Sequence, residues 1–115
     1  MPNTPVAIEQ GVSAIIGNSF SSLSQVNWTE KLFNNLGKTV ILEKESQIDA
    51  VTAISGSGPA YIFNFAETVI EIGKELGLSE QISKKIVLQT IVGAGLLANN
   101  SDKTPSKLRE NVTSP

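Results

Sequence analysis

The chain has 115 residues, of which 40% are apolar and 17% are charged, with a formal net charge of -2 and neither cysteine nor histidine. These values suit one globular domain or a part of one. They exclude a disulfide framework and any chemistry that needs a thiol or a histidine, and they argue against a basic surface that binds nucleic acid. We expect no metal site. No apolar run reaches the roughly 18 residues of a membrane-spanning helix, and the N-terminus lacks a signal-peptide pattern, so we expect a cytoplasmic protein that does not contact membranes.

The first part of the chain predicts a strand, a helix and a second strand. Apolar residues alternate between Gly11 and Gly17, which is typical of a strand with one apolar face. Asn27 and Glu30 have the spacing of a helix cap, and we expect the helix that follows to end at Gly37 in a left-handed conformation. The β-branched run KTVILEK then predicts a strand buried on both faces.

From Ile48 onward the apolar period becomes helical. A long amphipathic pattern predicts a helix that stops at Gly77, and Ser79 caps a second helix whose later half is apolar nearly all round. Thr104 and Pro105 supply the cap and first position of a short last helix. Such an apolar helix must be covered, and neither half of the chain is large enough to be stable by itself. We therefore expect an obligate oligomer or a portion of a longer protein.

The stretch SGSGPAY in the middle of the chain allows two compatible interpretations. In the plain one, Gly56 and Gly58 end a helix and Pro59 takes the first position of the next. In the functional one, free backbone N–H groups at that helix start, flanked by the Ser55 and Ser57 hydroxyls, bind a carboxylate or phosphate. A dinucleotide fingerprint is excluded, because tyrosine replaces the third glycine of the G-x-G-x-x-G pattern.

Two polar residues before this stretch are further candidates for a site. Thr52 lies one helical turn before Ser55, and Glu45 lies two turns before Thr52, so a helical segment would place them on one face. The plain alternatives are a solvated charge for Glu45 and a hydroxyl bonded back to its own helix for Thr52. The residues alone leave both alternatives open.

Three stretches of the chain are MPNTP, DAVTAISGSGPAY and VTSP. In their order and spacing they resemble the pyrroline-5-carboxylate reductase family, the NAD(P)H enzymes that make proline. The resemblance implies an α+β, mainly helical fold. Residues 1–46 would be the C-terminal part of an NAD(P)-binding Rossmann domain, and residues 47–115 an incomplete helical dimerisation domain like that of 6-phosphogluconate dehydrogenase. The family's fingerprint would precede Met1 and another helix would follow Pro115, so we expect an internal portion that is inactive alone.

The resemblance also implies roles for individual residues. Thr52 would be the catalytic hydroxyl near the imine. The substrate-binding positions would be Glu45, Ser55, Gly56, Ser57, Gly58, Thr113 and Ser114. The positions beside the nicotinamide of NADPH or NADH would be Pro2, Asn3, Thr4 and Asn111. Asp102 precedes Thr104 and Pro105 where the family has a His-Pro pair, and this departure leaves Asp102 without an assigned role.

Hydride transfer to the C=N carbon of a cationic imine suits this residue inventory, since the protein mainly orients two ligands and balances charge. Glu45 would favour the cation and Thr52 would bond the ring nitrogen. The helical half would form a homodimer or a larger homo-oligomer. Two alternatives stay open: a non-catalytic helical dimerisation module, and another NADP-dependent imine or hydroxyacid reductase with a lysine in the long helix, for which Lys74 lies too near the helix end.

Overall fold

The computed structural model describes residues 1–113 and confirms the predicted α+β, mainly helical architecture. The elements are a 3₁₀ helix Thr4–Ile8, β1 (Gly11–Ile15), α1 (Leu23–Phe33), a 3₁₀ turn Asn34–Leu36, β2 (Gly37–Ile41), α2 (Gln47–Val51), a π-helical turn Thr52–Gly56, α3 (Gly58–Glu75), α4 (Glu80–Asn100) and α5 (Pro105–Val112). The chain divides into two compact units, Met1–Phe63 and Asn64–Pro115, and the division falls inside α3.

The first unit is built on the predicted strand-helix-strand order. Strands β1 and β2 pair in parallel, from Gly11 opposite Gly37 to Ile15 opposite Ile41. The residues Met1 to Asn3 run antiparallel to β1, where the Ala14 N–H donates to the Met1 carbonyl at 2.9 Å. The middle of β1 is the core of this unit, because it is paired on both edges and its side chains are buried.

Helix α1 begins before the predicted Asn27 cap, so that prediction is wrong. Ser22 is the N-cap: its hydroxyl accepts from the Gln25 N–H at 3.3 Å, and the Gln25 side chain accepts from the Ser22 N–H at 2.8 Å. This reciprocal pair satisfies two N–H groups at the helix start. Asn27 and Glu30 lie inside the helix.

The predictions for Gly37 and β2 also need correction. Helix α1 ends at Phe33, and Gly37 has φ +134° and ψ -135°, which is not the left-handed helical stop. Glycine is required there because a Cβ would collide with the carbonyl oxygen of Gly11 on the neighbouring strand. The apolar side chains of β2 are not buried on both faces, since Val40 and Ile41 are 43% and 47% exposed.

The second unit confirms the three helix boundaries predicted for it. Gly77 follows α3 with φ +93°, the Ser79 hydroxyl accepts from the Ile82 N–H at 3.3 Å, and the Thr104 hydroxyl accepts from the Lys107 N–H at 3.2 Å. These bonds satisfy donors that helix starts otherwise leave free.

Helices α3 and α4 approach closely at one point of the second unit. A Cβ at Gly73 would lie 2.6 Å from the Ser83 Oγ, and that hydroxyl is buried without a hydrogen-bond partner among the described residues. The absence of a side chain on Gly73 therefore sets how near α4 can lie to α3 at this point.

Helix α4 exposes most of its apolar side chains. Val87 is buried, whereas six other apolar residues are 43% to 59% exposed: Ile82, Ile86, Leu88, Val92, Leu96 and Leu97. A face of this kind is unusual on an isolated surface and is typical of an interaction site. Within residues 1–113, none of the helices combines the length and apolarity that crossing a membrane requires.

Candidate functional site

The central glycine-rich stretch is a π-helical turn and not a break between two helices. The Ser57 N–H donates to the Thr52 carbonyl at 2.8 Å, five residues back, and Ser57 itself has helical dihedrals (φ -84°, ψ -18°). Neither Gly56 nor Gly58 has a positive φ. The helix end predicted at Gly56 and Gly58 is therefore wrong, whereas α3 begins at Gly58, one residue before the predicted start at Pro59. Single π-turns inside helices are frequent at functional sites.

The π-turn changes the partners of two backbone carbonyls. In an α-helix the Ser57 N–H would reach Ala53, but here Ala53 accepts instead from the Tyr61 hydroxyl at 3.1 Å. Ser55 would receive the N–H of the residue four further on, but that residue is Pro59, which has none. Pro59 thus leaves the Ser55 carbonyl without a backbone N–H donor, and a side chain can take that place.

Asn3 satisfies that carbonyl. Its Nδ2 donates to the Ser55 carbonyl at 3.3 Å and to the Ser55 Oγ at 3.2 Å. Its Oδ1 accepts from the Val12 N–H at 2.8 Å, and because that group can only donate, the bond fixes which end of the amide is oxygen. Asn3 therefore joins β1 to the π-turn.

Thr52 bonds back to its own helix, as the plain alternative expected. Its Oγ1 donates to the Ile48 carbonyl at 2.8 Å and lies 3.0 Å from the Met1 Sδ. A hydroxyl has a single proton but two lone pairs, so Thr52 keeps acceptor capacity on an exposed side chain.

A groove runs along the π-turn and the start of α3, with a volume of about 460 Å³. We call it the Ser55 groove, and its lining is Asn3, Pro5, Ile54, Ser55, Gly58, Pro59, Tyr61, Ile62 and Phe63. A second groove, of about 300 Å³, shares Ser55 and Ile54 and extends along Val12 and Val40. Mostly apolar walls with a few placed polar groups are typical of small-molecule sites.

Comparison with known proteins identifies the family of the chain. The family model for pyrroline-5-carboxylate reductase dimerisation matches residues 45–115. The chain belongs to the pyrroline-5-carboxylate reductase family. A pyrroline-5-carboxylate reductase of Pseudomonas aeruginosa is 43% identical over all 115 residues, which are 42% of that protein. The chain therefore spans about two-fifths of the length of this reductase.

Solved reductase structures of the family match the whole chain. The pyrroline carboxylate reductase of Plasmodium falciparum, solved with NADP bound, is 37% identical with a TM-score of 0.91, and the chain covers 47% of it. The pyrroline-5-carboxylate reductase of Coxiella burnetii is 35% identical with a TM-score of 0.94, and the chain covers 43% of it. The fold of the described residues is thus that of the corresponding part of these reductases.

One predicted arrangement of reductase site residues is wrong. Glu45 lies in the turn before α2, with an exposed side chain, and its carbonyl accepts from the Ile48 N–H at 2.9 Å. Because the helix begins only at Gln47, Glu45 and Thr52 do not share a helix face. The assignment of Glu45 to the substrate stays a prediction that rests on the family pattern.

The other residues predicted for the site lie in both units. Pro2 bridges to Ser13, and Thr4 begins the 3₁₀ helix beside Asn3. In the second unit, Asn111 lies in α5 and the Thr113 Oγ1 donates to the Arg109 carbonyl at 2.8 Å. Ser114 lies outside the described residues. Among residues 1–113 there is no group of three acidic side chains suited to a metal ion.

Lys74 does not suit the lysine-dependent reductase that the sequence left as an alternative. Its Nζ donates to both carboxylate oxygens of Glu71 at 2.9 Å, and this hydrogen bond, followed by the charge of Glu71, raises the pKa of Lys74 above its usual value. Lys74 also precedes the last residue of α3, Glu75, so its position near the helix end is confirmed.

Sequence reasoning missed the roles of Tyr61 and Pro59 in shaping the site. Tyr61 was considered only as a replaced glycine, and Pro59 only as a helix start. A usable signal was present, because a proline four residues after Ser55 removes the donor for that carbonyl inside a helix. The donor itself, Asn3, is 52 residues away in sequence, beyond the reach of local patterns.

Proposed function

We propose that this chain acts in the reduction of 1-pyrroline-5-carboxylate to L-proline, with hydride from NADPH or NADH, in the cytoplasm. The observation that carries the proposal is the match of the entire chain, at a TM-score of 0.91, to a pyrroline carboxylate reductase solved with NADP bound. The mostly apolar Ser55 groove supports it, since its walls suit a flat ring and its hydroxyl suits a polar substituent.

Thr52 is proposed as the residue that touches the reacting imine. Its proton is donated to the Ile48 carbonyl at 2.8 Å, which leaves its lone pairs as acceptors on an exposed side chain. An acceptor suits the N–H of a protonated imine, the form that takes hydride most readily. When bound, the nicotinamide supplies the hydride, and the protein holds the two ligands in reacting geometry. Glu45, exposed ahead of α2, is proposed to favour the cation by its charge.

The remaining assignments follow the family pattern position by position. The proposed cofactor contacts are Pro2, Asn3, Thr4 and Asn111. The proposed substrate contacts are Ser55, Gly56, Ser57, Gly58, Thr113 and Ser114. In this proposal residues 1–46 belong to the dinucleotide-binding domain and residues 47–115 to the helical domain, a division near the start of the family match at residue 45.

Self-association through the helical half is part of the same proposal. The matched family model is one of dimerisation, and α4 exposes apolar side chains along most of its length. A second copy of this helical half would remove that surface from water, at about 25 cal/mol for each Å² of apolar area. We therefore propose a homodimer or a larger homo-oligomer.

The proposal is tested in a graft enzyme, defined as the P. aeruginosa reductase with its matched segment replaced by these 115 residues. It should reduce pyrroline-5-carboxylate. Thr52→Val should lower kcat/KM on the order of 100-fold by removing one positioned hydrogen bond, and Glu45→Gln should lower it as well. A folded but inactive graft enzyme would contradict the proposed function.

A matched control separates the reaction from helix stability. Thr68 lies in α3, is exposed, and donates to the Asn64 carbonyl at 2.9 Å, which is the same back-bond that Thr52 makes. Thr68→Val should leave kcat/KM unchanged. Wild-type kinetics for Thr52→Val would remove Thr52 from the reacting centre.

A further inference from the structure

Every polar group of Asn3 is already used within the protein. Its backbone N–H donates to the Val12 carbonyl at 3.1 Å, and its backbone carbonyl accepts from the Val6 N–H at 3.3 Å. The side-chain oxygen accepts from the Val12 N–H, and the side-chain nitrogen lies within hydrogen-bond distance of both the carbonyl and the hydroxyl of Ser55. The Asn3 side chain is thus bonded to Val12 and Ser55 at the edge of the groove that it lines.

These hydrogen bonds of Asn3 determine whether the Ser55 hydroxyl acts as a donor or as an acceptor toward a ligand. A serine inside a helix commonly donates its proton to the carbonyl four residues back, as Thr52 does here. The Ser55 Oγ instead accepts a proton from Asn3 at 3.2 Å. Because a hydroxyl that accepts one bond still has its own proton to donate, Ser55 is prepared as a donor.

The position of Ser55 gives that donor a direction. The residue is half-buried and belongs to the lining of both grooves. Its carbonyl is held by Asn3, and the neighbouring Ala53 carbonyl is held by Tyr61, so the turn that carries Ser55 is tied on both sides. A donor fixed in this way favours one ligand geometry over others, since little freedom remains to be lost on binding.

We propose that Asn3 is a positioning residue that directs the Ser55 hydroxyl proton toward an acceptor oxygen of a ligand in the Ser55 groove. The proposal rests on the proposed function and adds that, in one contact, the protein donates the hydrogen bond and the ligand accepts it. The ligand chemistry is a carbonyl or carboxylate oxygen. Two sources carry such an oxygen in the proposed reaction, the carboxamide of the nicotinamide and the carboxylate of the imine substrate.

Three variants of the graft enzyme test the proposal. Ser55→Ala removes the donor. Asn3→Asp keeps an oxygen for the Val12 N–H but replaces the amide protons by a carboxylate oxygen, which draws the Ser55 proton to itself. Each single variant should raise one KM about tenfold, equivalent to about 1.4 kcal/mol. The double variant should be no worse than Asn3→Asp, because both changes remove the same proton.

The two KM values distinguish the sources of the oxygen. A rise in the KM for NADPH alone assigns the bond to the carboxamide, and a rise in the KM for pyrroline-5-carboxylate alone assigns it to the carboxylate. A purely structural role for Asn3 would lower the melting temperature and kcat without singling out one KM. Unchanged KM values for Ser55→Ala, or additive losses in the double variant, overturn the proposal.

A second measurement tests the Asn3–Ser55 contact without depending on whether the proposed function is correct. In nuclear magnetic resonance spectra of the full 115-residue chain, the two Asn3 amide protons should exchange slowly with water, and Ser55→Ala should shift them. Exchange at the rate of a free asparagine overturns the positioning role, whatever the graft enzyme does. An inactive graft enzyme with protected Asn3 protons contradicts the proposed function and supports the Asn3–Ser55 contact.

Discussion

Replacing Gly58 by alanine should strengthen the helix and weaken the site at the same time. Gly58 has a negative φ, and a Cβ built on it meets no atom within 4 Å, so the substitution introduces neither strain nor a clash. Glycine within a helical segment is roughly 0.5 to 1 kcal/mol less favourable than alanine. Gly58→Ala should therefore raise the free energy of unfolding by about that amount, measured from urea denaturation followed by circular dichroism.

The effect on ligand binding should have the opposite sign. Gly58 lies in the lining of the Ser55 groove, so the new methyl group projects toward the space that a ligand would fill. Displacing a ligand from close contact with the helix should raise its KM in the graft enzyme on the order of tenfold, or about 1.4 kcal/mol. A rise in stability together with a loss of affinity is the expected pattern.

A compensating substitution separates these two effects. Ala60 is exposed, lies in α3 and is not part of the groove lining, so Ala60→Gly should lower stability by about the amount that Gly58→Ala adds. The double variant should then unfold like the wild type while keeping the raised KM. If Gly58→Ala changed neither KM, the groove would not be the ligand site; if it destabilised the chain, the helical conformation assigned to Gly58 would be wrong.

Two further predictions concern the second unit. The 115-residue chain should sediment as a dimer or larger species in analytical ultracentrifugation because α4 exposes its apolar side chains, and a monomer at micromolar concentration would refute this. Gly73→Ala should lower the free energy of unfolding by about 1 to 3 kcal/mol, because its methyl group would lie 2.6 Å from the Ser83 Oγ, and Ser83→Ala should recover part of the loss; unchanged urea midpoints would contradict the close contact.

The features that could be predicted from the sequence are those decided by neighbouring residues. The Ser79 and Thr104 caps and the stop at Gly77 were found because a hydroxyl or a flexible backbone acts within one helical turn. The Asn27 cap was wrong because Ser22 and Gln25 form a reciprocal pair earlier in the chain. Competing caps of similar quality are difficult to rank by pattern alone.

The features that could not be predicted depend on partners far along the chain. Gly37 is required by the backbone of Gly11, and the π-turn is tied by Asn3, so neither requirement is visible in the local sequence. The apolar run of β2 predicts burial, but the described residues leave Val40 and Ile41 about half exposed. An apolar composition indicates that a strand or helix surface is covered. It does not indicate which chain or segment covers that surface.

The π-turn makes the length of this segment matter as well as its composition. A π-turn contains one residue more than the α-helical turn it replaces, and each residue of an α-helix rotates the chain by about 100°. Deleting any one residue of Thr52–Gly56 would restore an ordinary turn. The residues on either side would keep their facing, because the π-turn takes up its extra residue within one turn, but a backbone N–H would then compete with the Tyr61 hydroxyl for the carbonyl that it now binds. We therefore expect relatives that share this site to keep the number of residues in the turn as well as the Thr52 and Ser55 hydroxyls.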